Sequence, residues 1–383
     1  MSKRILWITL FACFIVYASV STAIGPVLPE LAGELGIAPD LVGLVLGMGS
    51  LGGLMSIFGG WISDRMSRLF FGALSLLMLA AGSFLLVVSR SVYLVGASLF
   101  LLATAAGFLE SSVNASISDL YSSRRGLSVN LFHIGWNVGS TIGPSAAAFL
   151  IVATQSWRNV YLLHLPVLLL FSGIVFLLDR DQAHSVSKAQ HENPRFSVKS
   201  SFRFLPLALI GFFYVGAEGG ISNWLAFILE DFGSGVMEAG LAVGLFWGLM
   251  GVGRLVWGPI VDRAGYRKPL TLTSGLALVC MIFASSQIPL GIKTMLWASS
   301  GFFLAPTFPT LIAWITSLAP EHGGSLSGVI FTAGTAGLFL SNYIVGLSKA
   351  MYGAAASQYV FVLFTATMMI NVLVSHPTET DRQ

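Results

Sequence analysis

Apolar runs long enough to cross a membrane repeat along the whole chain. They are Ile5–Val27, Leu41–Ile62, Leu69–Val88, Val92–Val113, Ser128–Val152, Val160–Leu178, Phe204–Leu229, Ala239–Val261, Leu270–Ile288, Thr294–Leu318, Ser327–Leu347 and Tyr359–Val374. About 20 apolar residues span a bilayer core as an α-helix, where each backbone polar group must find its partner within the segment. Twelve runs predict twelve transmembrane helices and leave little chain for anything else. Of 383 residues, 55% are hydrophobic and only 10% charged, against roughly 25% charged in a soluble domain. The fold class expected is therefore all-α integral membrane. A large soluble catalytic domain, a disordered chain and a secreted disulfide scaffold are excluded. The first run follows Lys3-Arg4 like a signal peptide, but eleven further spans favour an uncleaved first helix.

The basic residues give the orientation. With the N-terminus placed in the cytoplasm, alternating loops put fifteen of the 20 Lys and Arg on the inner side. Four, Arg90, Arg158, Lys293 and Lys349, fall outside, and Arg254 is left within a helix. That asymmetry is what the positive-inside rule expects. The formal net charge of +3 thus reports topology, and nucleic acid is not an expected partner. Both termini are expected in the cytoplasm and the chain in the plasma (inner) membrane, as a monomer with the lipid bilayer and a small molecule as partners. Cys13 and Cys280 sit in apolar runs and read as packing residues. Trp61, Trp157 and Trp297 lie near span boundaries and read as interfacial anchors.

One polar stretch, 181–203, separates residues 1–180 from 204–383. It reads as a cytoplasmic linker between two six-helix bundles. An internal repeat supports that division: Gly60-x-x-x-Asp64-Arg65 and Gly258-x-x-x-Asp262-Arg263 recur at an offset of 198 residues, as do Gly53 and Gly251, Gly126 and Gly324, and Gly139 and Gly337. Six helices per half give both halves the same orientation, related by a pseudo-two-fold along the membrane normal. An Asp at a helix C-terminus is disfavoured by that helix's dipole. It gains if it meets an arginine or another helix's N-terminus. The two copies, Asp64, Arg65 and Arg68 with Asp262, Arg263, Arg267 and Lys268, are therefore expected to form conformational latches. The second copy carries Gly265 where the first carries Ser67.

With these motifs the chain resembles the major facilitator superfamily over essentially its whole length. The resemblance implies two bundles rocking about a central cavity. Asn130–Gly139, Tyr214–Trp224 and Phe308-Pro309-Thr310-Leu311 more narrowly resemble the fucose:proton symporter branch. That implies a polar solute such as a sugar moved with a cation, and makes Glu110 a coupling carboxylate. Helix 1 lacks the carboxylate of that branch, offering Tyr17, Ser19, Ser21 and Thr22. Gly135-x-x-x-Gly139-x-x-x-Gly143-Pro144 approaches a motif of drug:proton antiporters, and equally suits close helix packing.

Ionisable residues inside spans are costly enough to point to function. Glu110, with Asn114 one turn on, and Glu218 are the foremost candidates. Either carboxylate can bind and release a proton as a cavity changes its exposure, or accept solute hydroxyls. Asn137, Asn223 and Trp224 are candidate solute contacts. His133 is a candidate relay, set against a hydrogen-bonded structural role. Trp136, Trp247 and Trp314 are candidate stacking surfaces. Arg254 either snorkels toward the cytoplasmic motif, the preferred reading, or faces the cavity. No Walker loop, metal cluster, catalytic nucleophile or cofactor site is read from the sequence. The expectation is a secondary active transporter rather than an enzyme: a symporter coupled to protons, with sodium the other option. The alternative is a proton-driven exporter of drugs or other amphipathic compounds.

Overall fold

A computed structural model describes residues 3–63, 65–120, 125–182, 204–318 and 323–375. Those residues are helical almost throughout. The first half comprises α1 (Lys3–Thr22), α2 (Ile24–Leu35), α3 (Pro39–Ser50), a 3-10 turn (Leu51–Met55), α4 (Ser56–Ser63), α5 (Arg68–Val87), α6 (Val92–Leu120), α7 (Arg125–Thr154) and α8 (Arg158–Gln182). The second comprises α9 (Leu205–Asp231), α10 (Val236–Ala264), α11 (Arg267–Ser285), α12 (Leu290–Leu304), α13 (Thr307–Leu318) and α14 (Gly323–Val374). Among the described residues, ten helical stretches are long and apolar enough to cross a membrane.

The interruptions have local causes. Proline lacks an N–H, and its ring crowds the carbonyl four residues back. Pro26 therefore weakens the helix at Thr22, where α1 gives way to α2, and Pro309 weakens it at Ala305, between α12 and α13. The expected second span, Leu41–Ile62, is α3, the 3-10 turn and α4 in succession. Gly47, Gly49, Gly52 and Gly53 lie in or beside that turn, and glycine is a poor helix former. The stretch α14 takes in the expected eleventh and twelfth spans as two helices joined at Gly353, whose φ of 80° and ψ of 179° are not helical.

Two faces follow from the chain's course. The terminal face holds the start of α1 and the end of α14, and the opposite face holds the loops at 36–38, 88–91, 155–157 and 232–235. Within the first half α5 packs on α6 and α8, and α1 on α7 and α8. Within the second, α9 packs on α14, and α11 on α12 and α14. The halves meet through α3 on α14, α7 on α10 and α2 on α9. Small residues set these distances. A methyl group built on Gly43 would stand 2.9 Å from the Gly346 Cα, and one on Gly251 3.1 Å from the Asn137 Cβ. Gly240 and Gly244 of α10 likewise face Ala148 and Ser145 of α7. The sequence-equivalent Gly139 and Gly337 make matching close approaches, one to the Ile15 carbonyl of α1, the other to the Phe212 carbonyl of α9.

The opposite face is tied by charge. Arg158 pairs with Glu34 and donates to the Val87 carbonyl at 2.9 Å and the Ser89 carbonyl at 2.8 Å. Lys349 pairs with Asp231 and lies 4.1 Å from the Phe227 ring centre. Lys293 donates to the Ala284 and Ser286 carbonyls at 2.5 and 3.0 Å. These basic residues are thus anchored to helix ends rather than free in loops. Two tryptophans depart from the interfacial expectation. Trp157 is buried and donates to Glu34 at 2.7 Å, and Trp297 is fully buried against Phe361. Trp61's side chain lies outside the described residues.

Overpacking a tight contact costs about 1–3 kcal/mol. Gly337→Ala should therefore lower the melting temperature in detergent by several degrees. Gly258→Ala, where the added methyl meets nothing within 4 Å, should leave it unchanged. Equal melting of the two variants would contradict the packing of α14 on α9.

Candidate functional site

Midway along the helices, ionisable and aromatic side chains from five elements gather between the two halves. The first is Glu110 on α6, which acts electrostatically on Tyr17 of α1. Tyr17 packs on Phe14 at 5.4 Å and on Trp136 of α7 at 5.0 Å between ring centres. Phe14 meets His133 edge-on at 5.2 Å. His133 lies within electrostatic reach of Arg254 on α10. Arg254 in turn reaches Glu218 and lies beside the Tyr214 hydroxyl, both on α9. The Tyr214 hydroxyl donates to the Glu218 carboxylate at 2.6 Å.

Helical geometry explains the shared depth. At about 1.5 Å per residue, Glu110 lies ~15 Å from the terminal-face end of its helix, Arg254 ~15 Å, His133 ~12 Å and Glu218 ~20 Å. Tyr214 and Glu218 are four residues apart and so share a face of α9. Tyr17 and Phe14 are three apart and share a face of α1. Glu110, His133, Glu218 and Arg254 are each half-buried. Among the described residues Glu110 makes no ion pair.

Arg254 corrects the preferred sequence reading. It turns toward Tyr214 and Glu218 instead of running to the terminal-face motif. Its Nη2 rests 3.9 Å from the Met250 sulfur one turn back, and its Nε is buried with no hydrogen-bond partner. A buried guanidinium is stabilised by a carboxylate nearby, and Glu218 provides one.

The amides divide between two places. Asn137 of α7 faces Gly251 of α10, and Asn114 of α6 lies one turn beyond Glu110. Both Oδ1 atoms are buried without a partner, which leaves acceptors ready for a donor. Asn223 and Trp224 lie further toward the opposite face. They donate to Asn342 Oδ1 at 3.2 and 3.1 Å. Trp224 is fully enclosed and stacked on Phe227, so in this conformation it is a packing residue. Asn342 of α14 was not singled out from the sequence, although an amide inside an apolar run is the signal that marks it. Trp136 meets Trp247 edge-on at 6.0 Å, and Trp247 donates to Ser222 at 3.0 Å. That pair carries the aromatic wall from one half to the other. Trp314 packs on Tyr266 instead.

The latch residues lie apart, at the terminal face. Asp64 falls outside the described residues. Arg65, Asp262, Arg263 and Lys268 are exposed. Arg68 donates to the Ala115 carbonyl of α6 at 2.9 Å, and Arg267 donates to the Leu373 carbonyl of α14. Both contacts stay within one half. The two copies also turn differently. Gly265 adopts φ 75°, a conformation that favours glycine, whereas Ser67 has φ −58° and donates its hydroxyl to Asp179.

Curated relatives share part of this sequence, and solved structures share this architecture. "Protein TsgA" of Salmonella arizonae is 26% identical over 318 residues, 79% of this chain and 77% of that protein. "Protein TsgA" of Escherichia coli O17:K52:H18 is 24% identical over 354 residues, 90% and 87% of the two chains. Among solved structures, a bacterial homolog of the human lysosomal transporter Spinster, inward-facing and occupied, superposes with a TM-score of 0.78 at 14% identity, covering 97% of this chain and 94% of its own. The E. coli fucose:proton symporter superposes with a TM-score of 0.65 at 17% identity, covering 99% and 100%. At such identities the structural likeness shows the fold. Residues 9–342 match the family described as the Major Facilitator Superfamily, and the chain belongs to it, as a multi-pass membrane transporter and not an enzyme.

Proposed function

We propose that the protein is a secondary active transporter that couples a proton gradient to uptake of a small polar solute such as a sugar, by alternating access. In this reading twelve spans form two six-helix bundles related by a pseudo-two-fold along the membrane normal. The chain sits in the inner membrane with both termini cytoplasmic, so the terminal face is the cytoplasmic one. The matching approaches of Gly139 and Gly337 support the two-bundle arrangement.

The observation that carries the reading is the set of half-buried ionisable groups lying between the halves. Glu110 lies at one end with no ion pair among the described residues. An uncompensated carboxylate in low dielectric is costly. Taking a proton before the cavity closes around it removes that cost, so closure and proton uptake become linked. At the other end, Glu218 is held by Tyr214 and faces Arg254. It is therefore suited to bind solute while Glu110 carries the proton. Asn114 and Asn137 supply unpaired acceptors for solute hydroxyls.

Contacts between the halves gather toward the opposite face. The α2 segment packs on α9 and α10, while α1 packs on α6, α7 and α8. That supports a state closed outside, with the terminal face the open one. A second reading, proton-driven export of amphipathic compounds, draws on the aromatic wall of Trp7, Phe11, Phe14 and Phe132 along α1 and α7.

In proteoliposomes, Glu110→Gln should abolish solute accumulation driven by a pH gradient and retain exchange of solute across the membrane. Accumulation at the wild-type level would remove Glu110 from coupling. Solute driven outward, against an inward proton flow, would favour the exporter. For topology, Gln155→Cys should react with an impermeant maleimide in intact cells and Lys268→Cys only after lysis. The reverse pattern would invert the orientation.

A further inference from the structure

Arg254 is more than a counter-charge for Glu218. Among the described residues no carboxylate oxygen comes within 4 Å of it. Its closest companions are a thioether, a phenol and the edge of a histidine's field. Glu218 is near enough to act on it through space, yet its carboxylate is turned to the Tyr214 hydroxyl. The guanidinium fork, with five donors in a plane, matches an oxyanion in bidentate fashion. Here no carboxylate fills that fork, and its Nε is already out of solvent with no acceptor. Tyr17 and Trp136 lie near this depth, and Trp247 continues the aromatic surface about 10 Å nearer the opposite face, offering apolar surface for the remainder of a small molecule.

We propose that Arg254 anchors an anionic group, a carboxylate or phosphate, on the transported solute, and that Glu218 is the internal anion holding that place when no solute is present. This rests on the transporter reading above and narrows its solute from polar to acidic. Arg254 thereby sets charge specificity. Glu218 competes with the solute for it, so binding of the acid displaces the through-space pairing of Glu218 with Arg254. Lysine would keep the charge and lose the planar fork.

The experiment is thermal unfolding of the purified full chain in detergent with matched solutes. The sets are glucuronate, glucose and glucosamine; glycerol 3-phosphate and glycerol; lactate and lactamide. At least one acid should raise the wild-type melting temperature while its neutral and amine counterparts do not. The carboxylate and phosphate sets show which oxyanion is preferred. Arg254→Gln should lose the shift, and Arg254→Lys should require roughly tenfold more acid. Glu218→Gln should bind the acid several-fold more tightly, a gain that a misfolded variant cannot mimic. Equal stabilisation by a neutral or amine counterpart, survival of the shift in Arg254→Gln, weaker acid binding by Glu218→Gln, or no stabilisation by any acid would each overturn the proposal. Failure of the coupling reading is separable. An acid bound through Arg254 that a pH gradient does not move across liposomes overturns proton coupling and leaves the anchor standing.

Discussion

A charge inside a bilayer is costly unless a partner or a proton compensates it, and that cost is met at two depths in this protein. At mid-depth, Arg254 of α10 faces Glu218 of α9 through space, and the Tyr214 hydroxyl holds the carboxylate. At the opposite face, Lys349 with Asp231 joins α14 to α9, and Arg158 with Glu34 joins α8 to α2. The outer pairs lie within their own halves and brace them. The central groups lie between the halves, His133 on one and Arg254 on the other.

Packing across the seam obeys the same economy of contact. Lipid provides no hydrophobic force between helices, so close backbone approach must supply the attraction. Gly43 against Gly346, and Gly240 and Gly244 against Ala148 and Ser145, bring the halves together toward the opposite face. Toward the terminal face Arg68 and Arg267 bind carbonyls within their own halves. The seam is thus closed by small residues toward the opposite face. We propose that in another state these arginines exchange carbonyls for cross-half carboxylates, which would make the repeated Asp-Arg motif a latch.

Most of the helices and three of the four central ionisable groups, Glu110, His133 and Glu218, were legible as sequence. Spanning length and apolarity are summed over some 20 residues, so they survive local irregularities such as the 3-10 turn at Leu51–Met55. Glu110 and Glu218 stood out because any carboxylate in such a run is anomalous. Arg254 was misread because its long stem allows two destinations about 12 Å apart along the helix, and only the position of α9 decides between them. Trp157 and Trp297 were misread because nearness to a span end says nothing about which side of the helix faces lipid. Asn342 was missed because its significance lies in two donors from another helix, Asn223 and Trp224. Sequence spacing reports the face of one helix and not what is packed against it.

The central claim is that the two halves rock about the half-buried central groups and that Glu110 links that motion to a proton. Pulsed electron–electron distance measurements in nanodiscs test it most directly. One label pair replaces the exposed Arg65 and Asp262 at the terminal face, the other Gln155 and Phe232 at the opposite face. The account predicts that one distance shortens as the other lengthens when pH changes, and that Glu110→Gln holds a single distribution at every pH. Distances that change together, or a pH response undiminished in Glu110→Gln, would contradict it.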